Sequence, residues 1–243
     1  MDVKIPDAFQ RLFLSFGMVG PALYASVVFA LGYLTPGYSQ ILDTMSELGA
    51  SGAPYAIFMN VLGFFALGAM TIAFAAMLPS RLGSEGKARY VGAIFIALSG
   101  ASVFSLGVFR CDPGCIDITP SGVYHDYFAM ASAIFMMLGQ QSLASHLRGI
   151  NGGRGFVIYT RLSVLVMAAL SLYFIDAIDS PYAGLVQRTL MGTGLLWMAL
   201  LSASLLRERE AKHINRPANI NHGKALRESR DGVLSEVRPE TMG

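Results

Sequence analysis

Six long stretches of this chain carry no charge, and the gaps between them alternate in the sign of the charge they hold. The charge-free windows are Leu12–Leu42, Leu48–Ser80, Tyr90–Phe109, Tyr127–Leu147, Leu162–Ile175 and Thr189–Leu206. An α-helix needs roughly 20 mostly apolar residues to cross the hydrocarbon core of a bilayer. Four windows reach that length unaided. The last two reach it by including Arg161 and Arg188, whose long side chains can snorkel to the interface. Hydrophobic residues make up 53% of the chain and charged residues 14%, where a soluble domain carries about a quarter charged. With no water in a bilayer core the backbone must bond to itself, which leaves helices or a closed barrel. The runs lack the two-residue alternation of barrel strands, so the expected fold is all-α: a six-helix transmembrane bundle.

Lys and Arg set the orientation. Lys4 and Arg11 precede the first window, and the next gap holds Asp43 and Glu47 without a base. Arg81, Lys87 and Arg89 follow against Glu85, then Asp112, Asp117 and Asp126 against Arg110. Arg148 and Arg154 stand alone, Asp176 and Asp179 come next, and the tail after Arg207 is rich in Arg and Lys. Both termini are therefore expected in the cytoplasm. The first apolar run continues past the roughly 7–15 residues of a signal-peptide core, so it reads as an uncleaved span. The expected organisation is a lead-in over 1–11, the transmembrane domain over 12–206 and a mixed-charge, disordered cytoplasmic tail over 207–243.

The longer outer gaps, Thr35–Ala53 and Arg110–Tyr124, are where chemistry is sought. Cys111-Asp112-Pro113-Gly114-Cys115 contains a Pro-Gly turn signal in an oxidising compartment, so Cys111 and Cys115 are expected to form a disulfide; two free thiols are the alternative. The candidate ligand-binding residues are Ser46, Glu47, Asn60, Arg110, Asp112, His125, Asp126 and Arg188. Each has a plain structural reading. Thr44-x-x-Glu47 fits a capping box, Asp126 and His125 suit the first turn of helix four, and Asn60 bridges helices. The functional reading has Glu47, Asp112, His125, Asp126 and Arg188 converge on an outward-facing polar pocket, with His125 as proton carrier. Gln140 and Gln141 are expected to pack or to face the interface. In the third helix, Ala93, Ala97, Ala101 and Ser105 at four-residue spacing, with Gly92 and Gly100 alongside, form a small-residue packing seam. Phosphate-cradling loops, H-E-x-x-H and G-x-S-x-G elbows are absent, and only His125 of the histidines lies outside, so no metal or cofactor is expected.

Ser46-Glu47-Leu48-Gly49-Ala50, then Pro54 and Asn60, then Phe109-Arg110-Cys111-Asp112-Pro113 and Gly122-Val123-Tyr124-His125, resemble the bacterial membrane family described as domain of unknown function 998. The resemblance spans roughly Leu12–Leu206. It implies a multi-pass protein of the bacterial cytoplasmic (inner) membrane without an assigned activity, and it draws attention to Glu47, Asn60, Asp112 and His125. The Ser-Glu-Leu-Gly stretch is similar, more loosely, to the Frag, DRAM and Sfk group of membrane proteins, linked to lipid handling. The leading expectation is a non-enzymatic protein binding lipid or a small polar ligand, with membrane lipids as partners and no nucleic acid. The alternatives are a secondary transporter, or a lipid hydrolase with His125 as base and Asp112 or Asp126 orienting it.

Overall fold

The computed structural model describes residues 6–82, 87–149, 153–177 and 180–214. The chain divides into two compact units, Met1–Leu206 and Arg207–Gly243, and the first holds everything described below except the last turns of the final helix. Glu85, Asp179 and the tail beyond Ile214, on which part of the charge argument rests, lie outside the described residues.

Among the described residues the fold is all-helical. Its long helices are α1 (Asp7–Leu34), α2 (Ala56–Arg81), α3 (Ala88–Val108), α4 (Pro120–Leu143), α5 (Gly153–Ala177) and α6 (Ala183–Ile214). Five of them, all but α4, are long and apolar enough to cross a membrane. The 24 residues of α4 span about 36 Å, but His125, Asp126, Gln140 and Gln141 lower its hydropathy. Large apolar side chains stand exposed around the outside, among them Tyr33 at 90%, Leu172 at 70% and Ile175 at 67%. An apolar surface of that extent needs lipid as its solvent. The molecule is a polytopic membrane helical bundle.

Helix α3 packs most closely, against α2 on one side and α4 on the other. Glycines set both approaches. A Cβ at Gly68 would lie 2.6 Å from the Gly100 carbonyl oxygen, and one at Gly139 would lie 2.5 Å from Ile96 and 3.2 Å from the Gly92 carbonyl. The seam of α3 is thus the Gly92–Gly100 row. Of the alanine row, Ala93 is buried, whereas Ala101 is exposed and Ala97 and Ser105 are half-buried. Helices α5 and α6 meet through larger groups: fully buried Trp197 donates its indole N–H to Thr160 Oγ1 at 2.9 Å.

The starts of α1 and α4 differ from the sequence expectation, and that of α2 agrees with a start near Pro54. Helix α1 begins at Asp7, so half of the expected lead-in is its first turns, where Phe9 and Phe13 meet edge to face. Helix α2 begins at Ala56, two residues beyond Pro54, and winds as a π-helix over Met59–Phe65. Helix α4 begins at Pro120, seven residues before its charge-free window. Thr119 caps it by accepting the Gly122 N–H at 3.3 Å, and Pro120 occupies the first turn, where a missing N–H costs nothing.

Candidate functional site

The connections 35–55 and 109–119 meet the start of α6 at one end of the bundle, the loop end. The first four N–H groups of a helix lack intrahelical partners. At α6 two of these are met from the first connection, Gly184 N–H by Leu42 O at 3.2 Å and Leu185 N–H by Ile41 O at 3.0 Å. Arg188, one turn on, donates to Gln40 Oε1 at 2.9 Å, to the Asp43 carbonyl at 2.8 Å and to the Tyr38 hydroxyl, over whose ring it also lies. Tyr38 in turn donates to the Thr44 carbonyl at 2.9 Å, and burial pushes its phenol up to about 12, so it remains a neutral donor. Gln187 accepts the Met45 N–H at 2.6 Å.

That anchoring holds a single 3₁₀ turn, Met45–Gly49, against the helices. Glu47 Oε1 accepts from Thr44 N–H at 2.8 Å and Thr44 Oγ1 at 3.0 Å, so Glu47 serves the capping role. Asn60 is buried and donates to the Gly49 carbonyl at 2.9 Å and to the Ala56 carbonyl at 2.7 Å. It ties the end of the turn to the π segment of α2. Its Oδ1 has no partner among the described residues.

The second connection is organised by Asp112. Its carboxylate accepts from Thr119 N–H at 2.8 Å, Ile118 N–H at 3.0 Å and Thr119 Oγ1 at 2.9 Å, which holds its carboxyl below the usual range, the Thr119 N–H having the largest effect. Cys111 and Cys115 are joined by a disulfide with Cα atoms 5.0 Å apart. Cys111 is buried, with Sγ 3.4 Å from the Ser46 carbonyl oxygen, and its own carbonyl accepts Ser51 N–H at 2.9 Å. Arg110 is exposed, and its carbonyl accepts from Ser121 Oγ at 2.9 Å.

The two connections meet at one pair. His125, 1% exposed, sits in the second turn of α4 rather than the first. Its Nδ1 is 2.7 Å from the Phe109 carbonyl oxygen and its Nε2 is 3.0 Å from Ser46 Oγ. A carbonyl only accepts, so Nδ1 carries the proton and Nε2 is the acceptor for the Ser46 hydroxyl. Neither Asp112 nor Asp126 orients the imidazole; a backbone carbonyl stands in that place.

Below this pair lies a cavity of about 790 Å³, walled by all six helices. Its walls are mainly apolar and rich in methionine, with Met130, Met136, Met137, Met167 and Met191 contributing. Thr44, Ser46, Asp126 and Gln187 mark its loop end, and Asp126 is the one charged side chain among the described lining residues. The candidate residues therefore do not converge on one polar pocket. Ser46 and Asp126 reach the cavity. Glu47, Asp112 and Arg188 bond to backbone and side-chain groups of the connections, Asn60 donates to the Gly49 and Ala56 carbonyls while its Oδ1 has no partner among the described residues, His125 stands behind Ser46, and Arg110 faces outward.

Residues 18–204 match the family described as Protein of unknown function (DUF998). The chain belongs to this family. The match covers most of the helical bundle, so all of the residues that DUF998 resemblance singled out, Glu47, Asn60, Asp112 and His125, fall inside it. No curated protein and no solved structure matches the chain. Within this DUF998 chain, the sequence reading missed Gln187 and Tyr38. Gln187 is uncharged beside Arg188, and Tyr38 is one tyrosine in a loop, so only their partners mark them out.

Proposed function

We propose that this protein is a membrane-embedded binding protein for an uncharged or cationic amphiphile. The observation that carries this reading is the cavity: about 790 Å³ lies within the 300–1,000 Å³ usual for small-molecule sites. Its methionine-rich walls suit flexible hydrocarbon, because the thioether is polarisable and the side chain adapts to irregular shapes. Thr44, Ser46 and Gln187 offer hydrogen bonds to a polar end group. With Asp126 as the lining charge, an anionic head group is disfavoured there and a neutral or cationic one is not. The alternation of basic and acidic gaps supports a loop end facing away from the cytoplasm, and the family resemblance supports the bacterial cytoplasmic membrane. Native mass spectrometry of protein purified in gentle detergent tests the reading. One amphiphile with a neutral or cationic head should be retained well above its share of the membrane extract. Retention of lipids in bulk proportion would count against a selective site.

One observation favours a transport reading as the second. Ser171 and Met167 line the cavity, and Ser163 and Tyr159 continue at four-residue spacing along α5 away from the loop end. Ser163 Oγ, Ser171 Oγ, Tyr159 OH and Gln140 Oε1 are buried polar atoms without partners among the described residues. Buried polar atoms of this kind are commonly satisfied by water, and a hydrated stripe would extend the cavity toward the far end. Proteoliposome uptake of the retained amphiphile, lost in Ser163→Leu, would support transport; retention without flux would leave binding alone.

A further inference from the structure

Ser46 and His125 form more than a strut between two connections. Ser46 lines the cavity, and the imidazole that its hydroxyl contacts is held in the acceptor tautomer by the Phe109 carbonyl. A hydroxyl is a weak nucleophile until an adjacent base takes its proton, and the recognisable arrangement is a nucleophile and base within about 2.6–3.2 Å, with the base oriented by a third group. All three elements are present, at 3.0 Å and 2.7 Å. A fourth is available. Gln187 accepts the N–H of Met45, the residue beside Ser46, through Oε1, and it also lines the cavity. Its Nε2 amide donates to no described residue among the hydrogen bonds of the site, which leaves it for an oxygen that gains negative charge near Ser46.

We infer that Ser46 is an acyl-accepting nucleophile, His125 its general base and Gln187 the donor to the oxyanion, and that the substrate is a neutral long-chain carboxylic ester. The inference rests on the amphiphile-binding reading above, because the hydrocarbon of the ester occupies the same cavity. The ester carbonyl lies at the loop end, where the polar groups are. As the Ser46 Oγ to carbonyl-carbon bond forms, the hydroxyl proton passes to His125 Nε2, and the carbonyl electron pair moves onto oxygen opposite Gln187. Collapse breaks the bond to the alcohol, which leaves with the proton from Nε2. A water then adds to acyl-Ser46, giving its proton to Nε2. Cleavage of the carbon–Oγ bond releases the fatty acid, and Ser46 recovers the proton. The acid product is an anion beside Asp126, so like charge assists its departure from the cavity.

The test uses the purified full chain in detergent, an alkyl fluorophosphonate as probe, and lipid retention measured on the same samples. Wild type should gain one phosphonyl group, mapped by peptide mass to Ser46, and should hydrolyse a long-chain p-nitrophenyl ester. Ser46→Ala should lose both. His125→Gln retains a donor toward Phe109 and an acceptor toward Ser46, so a strut would survive it. A base would not, and labelling should slow by roughly 10²–10⁴-fold at unchanged melting temperature. Gln187→Leu should slow it by roughly 10²–10³-fold. Labelling of His125→Gln at the wild-type rate would overturn the base. An unlabelled Ser46 in wild type that still retains its amphiphile would overturn the nucleophile and leave the binding reading standing. Wild type that neither labels nor retains would overturn both. The wild-type mapping decides the question even where a variant fails to fold.

Discussion

One carboxylate closes the second connection: the three donors on Asp112 come from Ile118 and Thr119, and Thr119 in turn caps α4. Asparagine at 112 would present an amide to donors that need an acceptor. Asp112→Asn should therefore lower the melting temperature and loosen the 109–119 connection, visible as faster amide exchange at Ile118 and Thr119. Because folding lowers the Asp112 pKa from 3.8, its contribution to stability is complete above that value. It disappears as pH falls below 3.8 through the folded-state value. The loss of stability on acidification below that point should accordingly be shallower in Asp112→Asn than in wild type. Arg188 of α6 does the same for the first connection by donating to Gln40 Oε1, the Tyr38 hydroxyl and the Asp43 carbonyl. Hydrogen bonds to a charged group contribute roughly 1.5–3 kcal/mol each. Arg188→Met should cost a few kcal/mol by chemical denaturation and release the 35–55 connection to proteolysis, while Arg11→Met should not affect that connection. Residue roles were legible where they were local. The capping box of Thr44 and Glu47 is a spacing of three, readable from the chain. The Ser46–His125 contact joins residues 79 positions apart, and no local pattern reports it.

The close approach of α3 to its neighbours turns on which row of small residues faces inward. Two rows of α3 are small, and the periodicity does not say which is the seam; helix rotation, set by all the contacts together, decides for the glycines. Gly68→Ala would place a Cβ 2.6 Å from the Gly100 oxygen and from Phe104 N. Those are backbone atoms, so relief requires the helices to part. Overpacking of this kind costs about 1–3 kcal/mol. Ala101 is exposed, so Ala101→Leu should be neutral in the same thermal unfolding assay. A loss from Ala101→Leu with none from Gly68→Ala would place the seam on the alanine row instead. The helix starts show the same limit of local reading. Charge-free and helical are different properties: Leu48–Ala50 is uncharged because it is buried in the loop end, not because it crosses a membrane. Conversely, α4 begins among polar residues because Thr119 and Pro120 can start it there. His125 thereby moves from a solvated first turn to a buried second one, and that shift makes it a partner for Ser46.

At the scale of the whole molecule, the charge pattern was enough to read a six-helix membrane bundle, since lipid leaves the backbone so few options. The cavity was not legible. It exists because α3 is drawn tightly to α2 and α4 by glycines while α5 and α6 stand off on large side chains such as Trp197 and Met167. The space between those two kinds of packing is a sum over helices, and no segment of the chain records it. This account makes the cavity separable from the fold. Ala168 lines the wall on α5 and is half-buried, so Ala168→Phe would project a ring into the space without touching the glycine seams. Filling a cavity commonly stabilises a protein by about 0.5–2 kcal/mol, whereas a ligand displaced from it loses its contacts. Ala168→Phe should thus keep or raise the melting temperature while retention of the bound amphiphile falls about tenfold, a loss of about 1.4 kcal/mol. The measurement is native mass spectrometry alongside thermal unfolding on the same preparation. Retention unchanged in a well-folded Ala168→Phe protein would mean that lipid is held on exposed side chains outside the cavity, such as Phe29, Ile94 and Leu165, rather than inside the bundle. The cavity would then have no part in binding, and Ser46 would line an empty space.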